Sequence, residues 1–406
     1  MKNRIKDFRN LGLGLFIHYG LYSKMEKGEW YLEMNKMSEE RYYNLIGKDF
    51  QLKANFKNLI PFFKKCQIKY IVLTAKHHDG FCLFDSKGQS KYDIGWLNTK
   101  KDVIEEFINE CHKNDIKPFI YYATMEWTQD AKNFSVNVEK IYNNVKNLLT
   151  KYKEKISGFW FDGNWSEKNK DWKLDKLYSM IRKYNKNCII INNTGLEEKG
   201  QIVHEEIDSV TFEQGKEEEF CNFKNCDIGF EICYSINDHW GYSRFDFNFK
   251  PLSSIISDYV SIRKNYGNLL LNIGLDKNGN LGNFEKWYLS KIGTWIKENK
   301  NCLNGEIRCL YNDKYISLIE NVTQNKYFII VRGLNSGGHV ETIHYGSQKN
   351  VFSIKYFLNK EIKKIRYLDN NKDCYYNIEK NELNMEIESF EYGTNYIVRL
   401  LEMECE

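Results

Sequence analysis

The sequence predicts an α/β protein, a (β/α)8 TIM-like barrel followed by an antiparallel β-sandwich domain. Two observations predict this fold class. Over roughly the first 270 residues, eight short apolar segments alternate with longer segments of helical period, as in buried parallel strands joined by helices. After Lys300 the segments instead alternate apolar and polar residues and are separated by Asn, Gly and Asp turns, which is typical of an antiparallel sandwich.

The eight apolar segments are the predicted strands of the barrel. They are LGLFIHYG (13–20), KYIVLTAKHHDG (69–80), KPFIYYA (117–123), GFWFDGNW (158–165), CIIINNTG (188–195), SVTFEQG (209–215), FEICYSIND (230–238) and LLLNIG (269–274). These segments are almost continuously apolar, and only strands that are buried on both faces can lack polar alternation in this way. Eight of them are the number that a closed barrel of this type requires.

The segments between these strands have the 3.6-residue period of helices. In residues 100–113, Val103, Ile104 and Phe107 share one face, and Thr99 and Asp102 have the spacing of a capping box with Thr99 as the N-cap. Further helices are predicted over 134–155, 171–186 and 253–266, and Pro61 is expected in the first turn of another. Only the gap between the sixth and seventh strands shows no evident helix.

The last hundred residues contain seven predicted sandwich strands. They are GEIRCLY (305–311), KYISLIEN (314–321), KYFIIVRG (326–333), VETIHYG (340–346), KKIRYLD (363–369), ELNMEIES (382–389) and TNYIVRLLE (394–402). We place the domain boundary so that a catalytic barrel occupies residues 1–302 and the sandwich occupies residues 303–406. No titratable residues cluster in the sandwich segments, so we expect an accessory domain that packs or contacts sugar.

Composition excludes several classes of partner and site. Lys and Arg number 59 against 55 Asp and Glu and are spread along the chain, so neither nucleic acid nor an anionic membrane is expected as a partner. Eleven cysteines without a CxxC pair argue against a disulfide framework. The N-terminal MKNRIKDFRN lacks the apolar core of a signal peptide. We expect a cytoplasmic protein, or a secreted one if a leader has been removed.

Polar side chains gather at the ends of the predicted strands. In barrels of this type the catalytic residues come from the C-terminal ends of several strands. The candidates at or near strand ends are His18, His77, His78, Tyr121, Tyr122, Asp162, Asn192, Asn193, Glu213, Glu231 and Asn272. Since three of only eight histidines in the chain fall on strand tips, a shared site is favoured over isolated structural histidines.

Asp162 is the sharpest of these candidates. It follows a buried aromatic strand and precedes Gly163, so its carboxylate must be either paired or functional. Glu213 and Glu231 are weaker, because other glutamates crowd the same region and most of those are solvated. Tryptophans at or beyond strand ends, namely Trp30, Trp127, Trp160, Trp165 and Trp240, suit a sugar-like ligand, although each could also fill the core.

Several motifs resemble the α-L-fucosidases of glycoside hydrolase family 29. The motifs are FIHYGLYS (16–23), GEWY (28–31), KYIVLTAKHHDGFCLFDS (69–86), FWFDGNW (159–165) and FEICYSINDHWGYS (230–243), the last followed by NLLLNIG (268–274). The resemblance covers the barrel. It implies a retaining, exo-acting α-L-fucosidase that hydrolyses terminal α-linked L-fucose from a fucosylated oligosaccharide or glycoconjugate and needs no metal or organic cofactor.

The resemblance also implies roles for individual residues. Asp162 matches the nucleophile, and Glu213 in TFEQ (211–214) matches the general acid/base, with Glu231 as the competitor for that role or a residue that shapes the pocket. The residues matching those that hold the sugar are His18, Glu29, Trp30, His77, His78, Tyr122, Trp160 and, near the methyl group, Trp240. A retaining mechanism places the two carboxyl groups about 5 to 5.5 Å apart.

Two other functions remain open from the sequence. One is a metal-dependent barrel hydrolase with His18, His77 and His78 as ligands, although adjacent histidines on a strand are expected to point to opposite faces. The other is a non-catalytic barrel that binds sugar. The glycosidic linkage, which can be α1,2, α1,3, α1,4 or α1,6, and the oligomeric state are not predicted.

Overall fold

The computed structural model describes residues 1–220, 223, 226–334, 349–356, 358, 360–391 and 393–406. The chain divides into two compact units. The first comprises Met1–Lys250 and Gly267–Ser290, and the second comprises Pro251–Tyr266 and Lys291–Glu406. The domain boundary expected between residues 302 and 303 stays a prediction.

The first unit contains a closed barrel of eight parallel strands. They are β1 (Leu13–His18), β2 (Tyr70–Lys76), β3 (Lys117–Ala123), β4 (Gly158–Asp162), β5 (Ile189–Asn192), β6 (Ser209–Glu213), β7 (Gly229–Ser235) and β8 (Asn268–Gly274). Each strand pairs with the next along the chain, and β8 returns to pair with β1. The predicted fold class is confirmed, and all eight predicted strands are present.

Helices connect the strands. They are α1 (Asn3–Arg9), α2 (Tyr31–Met34), α3 (Glu39–Ile46), α4 (Phe56–Lys65), α5 (Val103–Lys113), α6 (Phe134–Tyr152), α7 (Leu174–Tyr184), α8 (Glu217–Phe220), α9 (Leu252–Lys264) and α10 (Asn283–Glu298). Asp102 caps α5 by accepting a hydrogen bond from the backbone N–H of Glu105, so the N-cap is Asp102 and not the Thr99 that the capping-box spacing predicted. The predicted helices over 134–155 and 171–186 contain α6 and α7. Among the described residues of the gap without an evident helix, the single turn of α8 is the only α-helix.

The predicted position of Pro61 is wrong. Pro61 is the sixth residue of α4, well beyond its first turn. The helix begins earlier because Asn55 caps it, accepting a hydrogen bond from the backbone N–H of Asn58 at 3.3 Å. Pro61 therefore cannot donate to the carbonyl of Lys57 one turn before it, and Lys57 is exposed to solvent.

Aromatic and aliphatic side chains fill the interior of the barrel. At its N-terminal end, the ring of Phe8 from α1 packs on Tyr70 and Phe119, with centroids 5.4 and 5.8 Å away. The same buried cluster continues with Phe16, Val72, Tyr121, Ala123, Trp160, Ile189, Ile191, Cys233 and Leu270. A solid interior is expected for a barrel of eight strands. Functional side chains therefore gather at the C-terminal end, above this packing.

The second unit contains a sandwich of two antiparallel sheets. Its strands are β9 (Ile307–Asn312), β10 (Ile316–Asn321), β11 (Lys326–Val331), β12 (Lys349–Lys355), β13 (Ile362–Tyr367), β14 (Tyr375–Glu379), β15 (Glu382–Glu388) and β16 (Arg399–Cys405). One sheet has the order β13-β16-β11-β10-β9 and the other β12-β15-β14. Leu318 and Ile329 from the first sheet share a buried core with Leu383 and Met385 from the second.

The sequence missed two sandwich strands. β14 is mostly exposed along its length, so it lacks the apolar alternation that marks a half-buried strand. In β12, Val351 is 70% exposed, which hides the pattern there as well. The predicted strand over 340–346 lies outside the described residues, and the other six predicted strands are present. Within the described part of the chain, no helix has the length and apolar character needed to span a membrane.

Candidate active site

The C-terminal ends of the barrel strands surround one small pocket of about 60 Å³. It is lined by Phe16, His18, Trp30, His77, His78, Tyr121, Trp160, Asp162, Trp165, Asn193, Glu213 and Trp240. Eight of these twelve residues were predicted from the sequence as site residues. The small volume suits one ring of a ligand rather than an extended chain.

At the end of β2, the two histidines of the polar run line the pocket, and the lysine and the aspartate beside them do not. β2 ends at Lys76 with a register irregularity against β3, so His77 and His78 follow the last strand residue and escape its strict alternation. Both line the pocket, contrary to the expectation that they face opposite ways. Lys76 and Asp79 are buried outside the pocket, Asp79 as acceptor for the hydroxyl of Tyr42 at 2.9 Å.

Asp162 is the last residue of β4, and four side chains converge on its carboxylate. Oδ2 accepts from the hydroxyl of Tyr121 at 2.8 Å and lies 3.2 Å from Nε2 of His78. Oδ1 accepts from the indole of Trp165 at 2.9 Å and from the amide of Asn193 at 3.1 Å. The surrounding donors thus fix both oxygens of the carboxylate in the pocket.

These contacts keep Asp162 ionised. Burial alone would raise the pKa of its carboxyl, but the hydrogen bonds and charge of His78 and the hydrogen bonds from Trp165 and Tyr121 outweigh burial and hold that pKa below its usual value. An ionised, oriented carboxylate at the floor of a pocket can act as a nucleophile. Gly163 makes the turn after it possible, because its φ is +106° and a Cβ there would lie 2.5 Å from the backbone nitrogen of Met125.

Glu213, the last residue of β6, faces Asp162 across Asn193. The side-chain nitrogen of Asn193 donates to Oδ1 of Asp162 at 3.1 Å and to Oε2 of Glu213 at 2.8 Å. Two bonds to one nitrogen place these carboxylate oxygens within about 6 Å of each other, compatible with the separation found in retaining glycosidases. Burial and the nearby charge of Asp162 raise the pKa of Glu213 to about 7, so Glu213 can hold a proton while Asp162 is ionised.

His18 and His77 form the uncharged part of the pocket wall. Burial lowers the pKa of His18 to about 3, and Nδ1 of its ring lies 2.6 Å from Oδ1 of Asn272. The pKa of His77 is also held well below its usual value, by burial and by the neighbouring His78. Neutral imidazoles donate and accept hydrogen bonds, as recognition of hydroxyl groups requires.

Three predicted site residues do not line the pocket. Tyr122 points away from it and accepts a hydrogen bond from Asn144 of α6 at 2.9 Å. Glu29 turns its carboxylate to the backbone N–H of Gly241 at 2.7 Å. Glu231 is fully buried inside the barrel, where it accepts hydrogen bonds from the indole of Trp160 and the hydroxyl of Tyr70 at 2.6 and 2.8 Å. The pocket lining thus leaves out these three residues, and their direct contact with a ligand stays a prediction.

Three of the strand-end candidates to which the sequence assigned no individual role also line the pocket. Tyr121 takes the place expected for Tyr122, because side chains alternate along β3 and Tyr121 shares the inward face with Ala123. Trp165 and Asn193 each bind Asp162 directly. All three occur among the strand-end residues of the sequence, but only the register between neighbouring strands reveals which of them face inward.

A buried cluster of three charges supports the wall behind His78. Glu126 forms ion pairs with Lys76 at the end of β2 and with Lys140 on α6, and all three side chains are less than 10% exposed. Burial would raise the pKa of Glu126, but the two lysines outweigh it and lower that pKa to about 2. The flanking residue Met125 accepts a hydrogen bond from Nδ1 of His78 through its carbonyl oxygen at 2.9 Å.

We expect Glu126→Gln to destabilise the fold strongly. The substitution leaves Lys76 and Lys140 buried without their counter-charge, a change that costs about 3 to 5 kcal/mol of unfolding free energy. Chemical denaturation measures the loss. Glu139→Gln is the control, on the helix that carries Lys140, because the Glu139–Lys176 pair is more than half exposed and should change stability by less than about 1 kcal/mol. Equal stability losses in the two variants would contradict the structural role given to Glu126.

The histidines of the pocket do not form a metal site. Both ring nitrogens of His78 are engaged, one with the carbonyl of Met125 and the other with Asp162. Across the described ranges, no group of three or more His, Cys, Asp or Glu side chains is arranged to hold a metal ion.

Comparisons with known proteins point to one family. Residues 2–301 match the family model described as α-L-fucosidase. The α-L-fucosidase of Dictyostelium discoideum is 23% identical over 73% of this chain and 71% of its own length. The structure of α-L-fucosidase isoenzyme 1 from Paenibacillus thiaminolyticus is similar with a TM-score of 0.78, at 24% identity, over 99% of each chain.

A second solved structure has the same fold. It is a glycoside hydrolase family 29 α-L-fucosidase from Bacteroides thetaiotaomicron, trapped as a covalent intermediate with 2-fluoro-fucosyl fluoride. It matches this chain with a TM-score of 0.82 at 20% identity, over 100% of this chain and 97% of its own. Similarity at this level of identity establishes the shared architecture of barrel and sandwich.

Proposed function

The chain belongs to the α-L-fucosidase family, and we propose that it uses Asp162 and Glu213 to remove terminal α-linked L-fucose from fucosylated glycans with retention of configuration. One observation carries this assignment of roles. Two carboxyl groups share the amide of Asn193, and their surroundings shift the pKa of one downward and that of the other upward. Such opposed shifts mark the nucleophile and the acid of a glycosidase.

In the first step the carboxylate of Asp162 attacks the anomeric carbon of fucose. The glycosidic C–O bond breaks, and Glu213 gives its proton to the departing oxygen, so the leaving group departs as a neutral alcohol. The product is an ester between Asp162 and fucose. The covalent intermediate trapped in the Bacteroides relative supports a step of this kind.

In the second step Glu213, now ionised, acts as a base. It takes a proton from a water molecule while the water oxygen attacks the anomeric carbon from the face that the leaving group vacated. The ester bond breaks and Asp162 recovers its negative charge. Two inversions at the same carbon return the starting anomeric configuration, and Glu213 has regained the proton it needs for the next cycle.

The remaining pocket residues suit a deoxyhexose. Neutral His18 and His77 can exchange hydrogen bonds with hydroxyl groups. The rings of Phe16, Trp160 and Trp240 line the same pocket and offer apolar surface to C–H groups and a methyl group. Since the pocket is small, it holds the terminal sugar alone, which supports exo action. Glu29 and Glu231 act behind the wall, where Glu231 fixes the indole of Trp160.

Hydrolysis of an aryl α-L-fucoside with the product anomer followed by proton NMR tests this proposal. We expect α-L-fucose to form first and to mutarotate slowly to the equilibrium mixture. Initial release of the β anomer would show an inverting reaction and remove Asp162 from its role as nucleophile. Binding of fucose without any turnover would identify a sugar-binding barrel instead. Activity that falls with a chelator and returns with a divalent cation would favour a metal-dependent hydrolase.

A further inference from the structure

A second cavity adjoins the pocket on one side. This cavity, the outer groove, has a volume of 530 Å³ and lies between residues 164–175, which follow β4, and residues 192–203, at the end of β5 and beyond. The groove and the pocket share two lining residues, Trp165 and Asn193. Its volume falls in the range of sites for ligands larger than one sugar ring.

Both shared residues touch the reacting groups. Trp165 donates to Asp162, and Asn193 donates to both Asp162 and Glu213. The bond that breaks must lie between these carboxyl groups, since one attacks its carbon and the other protonates its oxygen. The part of the substrate beyond that oxygen leaves on the face opposite Asp162, past Glu213 and the Asn193 that donates to it, and Asn193 also lines the outer groove.

We propose that the outer groove binds the leaving-group portion of the substrate, and that this portion is an uncharged oligosaccharide of two or more sugars. The inference rests on the proposed function and adds the substrate class to it. Fucose occupies the pocket, and the sugars to which it is attached extend along the groove.

Two tryptophans supply flat surfaces in the groove. Trp165 packs closely on Gly195, where φ is +81° and a Cβ would lie 3.0 Å from Cγ of the indole. Trp172 is held edge-on to Phe134, with ring centroids 4.9 Å apart, and donates to the carbonyl oxygen of Glu167 at 3.2 Å. Both rings are partly exposed. Rings that are fixed and partly open can stack on the C–H faces of sugars at little cost in conformational entropy.

Amide groups provide unused hydrogen-bonding capacity in the same groove. Asn192 is 2% exposed and lines the groove, and its Oδ1 has no hydrogen-bond partner among the residues that the structure describes. Nδ2 of Asn164 also has no hydrogen-bond partner among those residues. Gln201 adds a third, exposed amide. Amides that both donate and accept match the hydroxyl and acetamido groups of sugars.

The charged residues that line the groove are two lysines and three carboxylates. Lys168 lies 3.2 Å from Glu198, and Asp175 lies 2.9 Å from His204. The other charged lining residues, Lys170 and Asp171, also form ion pairs, with Glu167 and Lys173. Both lining lysines thus lie beside a carboxylate, and the lining carboxylates outnumber the lysines. This excess of negative charge disfavours an anionic glycan, so an uncharged one is favoured.

The test uses uncharged fucosylated di-, tri- and tetrasaccharides that differ only in the length of the leaving group. We expect kcat/KM of the parent protein to rise about tenfold from the disaccharide to the tetrasaccharide, because contacts in the groove stabilise the transition state. Trp172→Ala and Gln201→Ala should each reduce that rise to about threefold or less. Trp287→Ala is the control, since this half-exposed tryptophan of α10 does not line the groove and should keep the full rise.

Each outcome separates this inference from the proposed function. Equal kcat/KM for all lengths, with an aryl α-L-fucoside still hydrolysed, overturns the groove assignment and leaves the fucosidase intact. A rise that persists in both variants also overturns it, because the longer glycan then binds elsewhere. A sulfated tetrasaccharide that is cleaved faster than the uncharged one overturns the charge argument. Absence of aryl fucoside turnover contradicts the proposed function itself.

Discussion

Replacement of Asp162 by glycine is expected to lower kcat/KM for an aryl α-L-fucoside by about 10⁴-fold or more while the protein stays folded. The substitution removes the only group placed to form the covalent ester. Tyr121, Trp165 and Asn193 lose a shared acceptor but lie at the open end of the barrel, where water can replace it. Thermal unfolding followed by circular dichroism checks that the fold is retained.

Azide should restore part of this lost activity. The glycine leaves a space beside the anomeric carbon, and azide can enter it and attack from the face that Asp162 occupied. One inversion then gives β-L-fucosyl azide, which NMR or mass spectrometry identifies. Asp162→Asn is the matched control, because it fills the same space, has no nucleophile and should gain nothing from azide. Parent-like turnover by the glycine variant would remove Asp162 from the mechanism.

The order of strands and helices in the barrel was predictable from the sequence because it follows from which segments are buried. Strands that are buried on both faces appear in the sequence as continuous apolar runs. Most of the segments between them have the 3.6-residue period of helices. The end of β2 was also visible, since Lys76, His77 and His78 interrupt such a run. Which of these side chains reach the pocket was not predictable, because a register irregularity at the strand end decides it.

The choice between Tyr121 and Tyr122 shows a second limit. A strand that is apolar on both faces gives no sign of which face is inward, so either tyrosine could have lined the pocket. Pairing settles the choice, because Tyr121 lies beside Trp160 and Ala123 lies beside Asp162 on β4. Register between neighbouring strands is a property of the folded barrel, and a single sequence does not contain it in readable form.

Glu213 and Glu231 differ mainly in their position along the axis of the barrel. Glu213 is the last residue of β6 and pairs with Cys233 of β7. Glu231 pairs with Thr211, two residues before Glu213, and therefore lies closer to the N-terminal end of the barrel. Glu231 stands near the start of β7 and not at its C-terminal end, although it was among the candidates predicted at or near the strand ends. Burial raises the pKa of both carboxyl groups to about 7, so titration behaviour alone does not separate the acid from the structural residue.

Replacement of Glu213 by alanine should show whether Glu213 is the general acid, because substrates differ in how much their leaving groups need a proton. A natural fucosyl disaccharide needs a proton on its departing oxygen, so we expect its kcat/KM to fall by about 10² to 10⁴-fold. An aryl fucoside leaves as a stabilised phenolate, and its kcat/KM should fall by less than about tenfold. Steady-state kinetics on the two substrates gives the comparison. A loss of equal size on both substrates would show that Glu213 does not protonate the leaving group.

The pH profile gives the same assignment independently. Because Glu213 must be protonated when substrate binds, kcat/KM of the parent on the disaccharide should decline as pH rises through the raised pKa of Glu213, about 7. That alkaline decline should vanish in Glu213→Ala. Glu231→Gln is the matched control, since glutamine can still accept from Trp160 and contact Tyr70, and it should keep the decline and affect both substrates alike. Loss of the decline in Glu231→Gln instead would make Glu231 the acid.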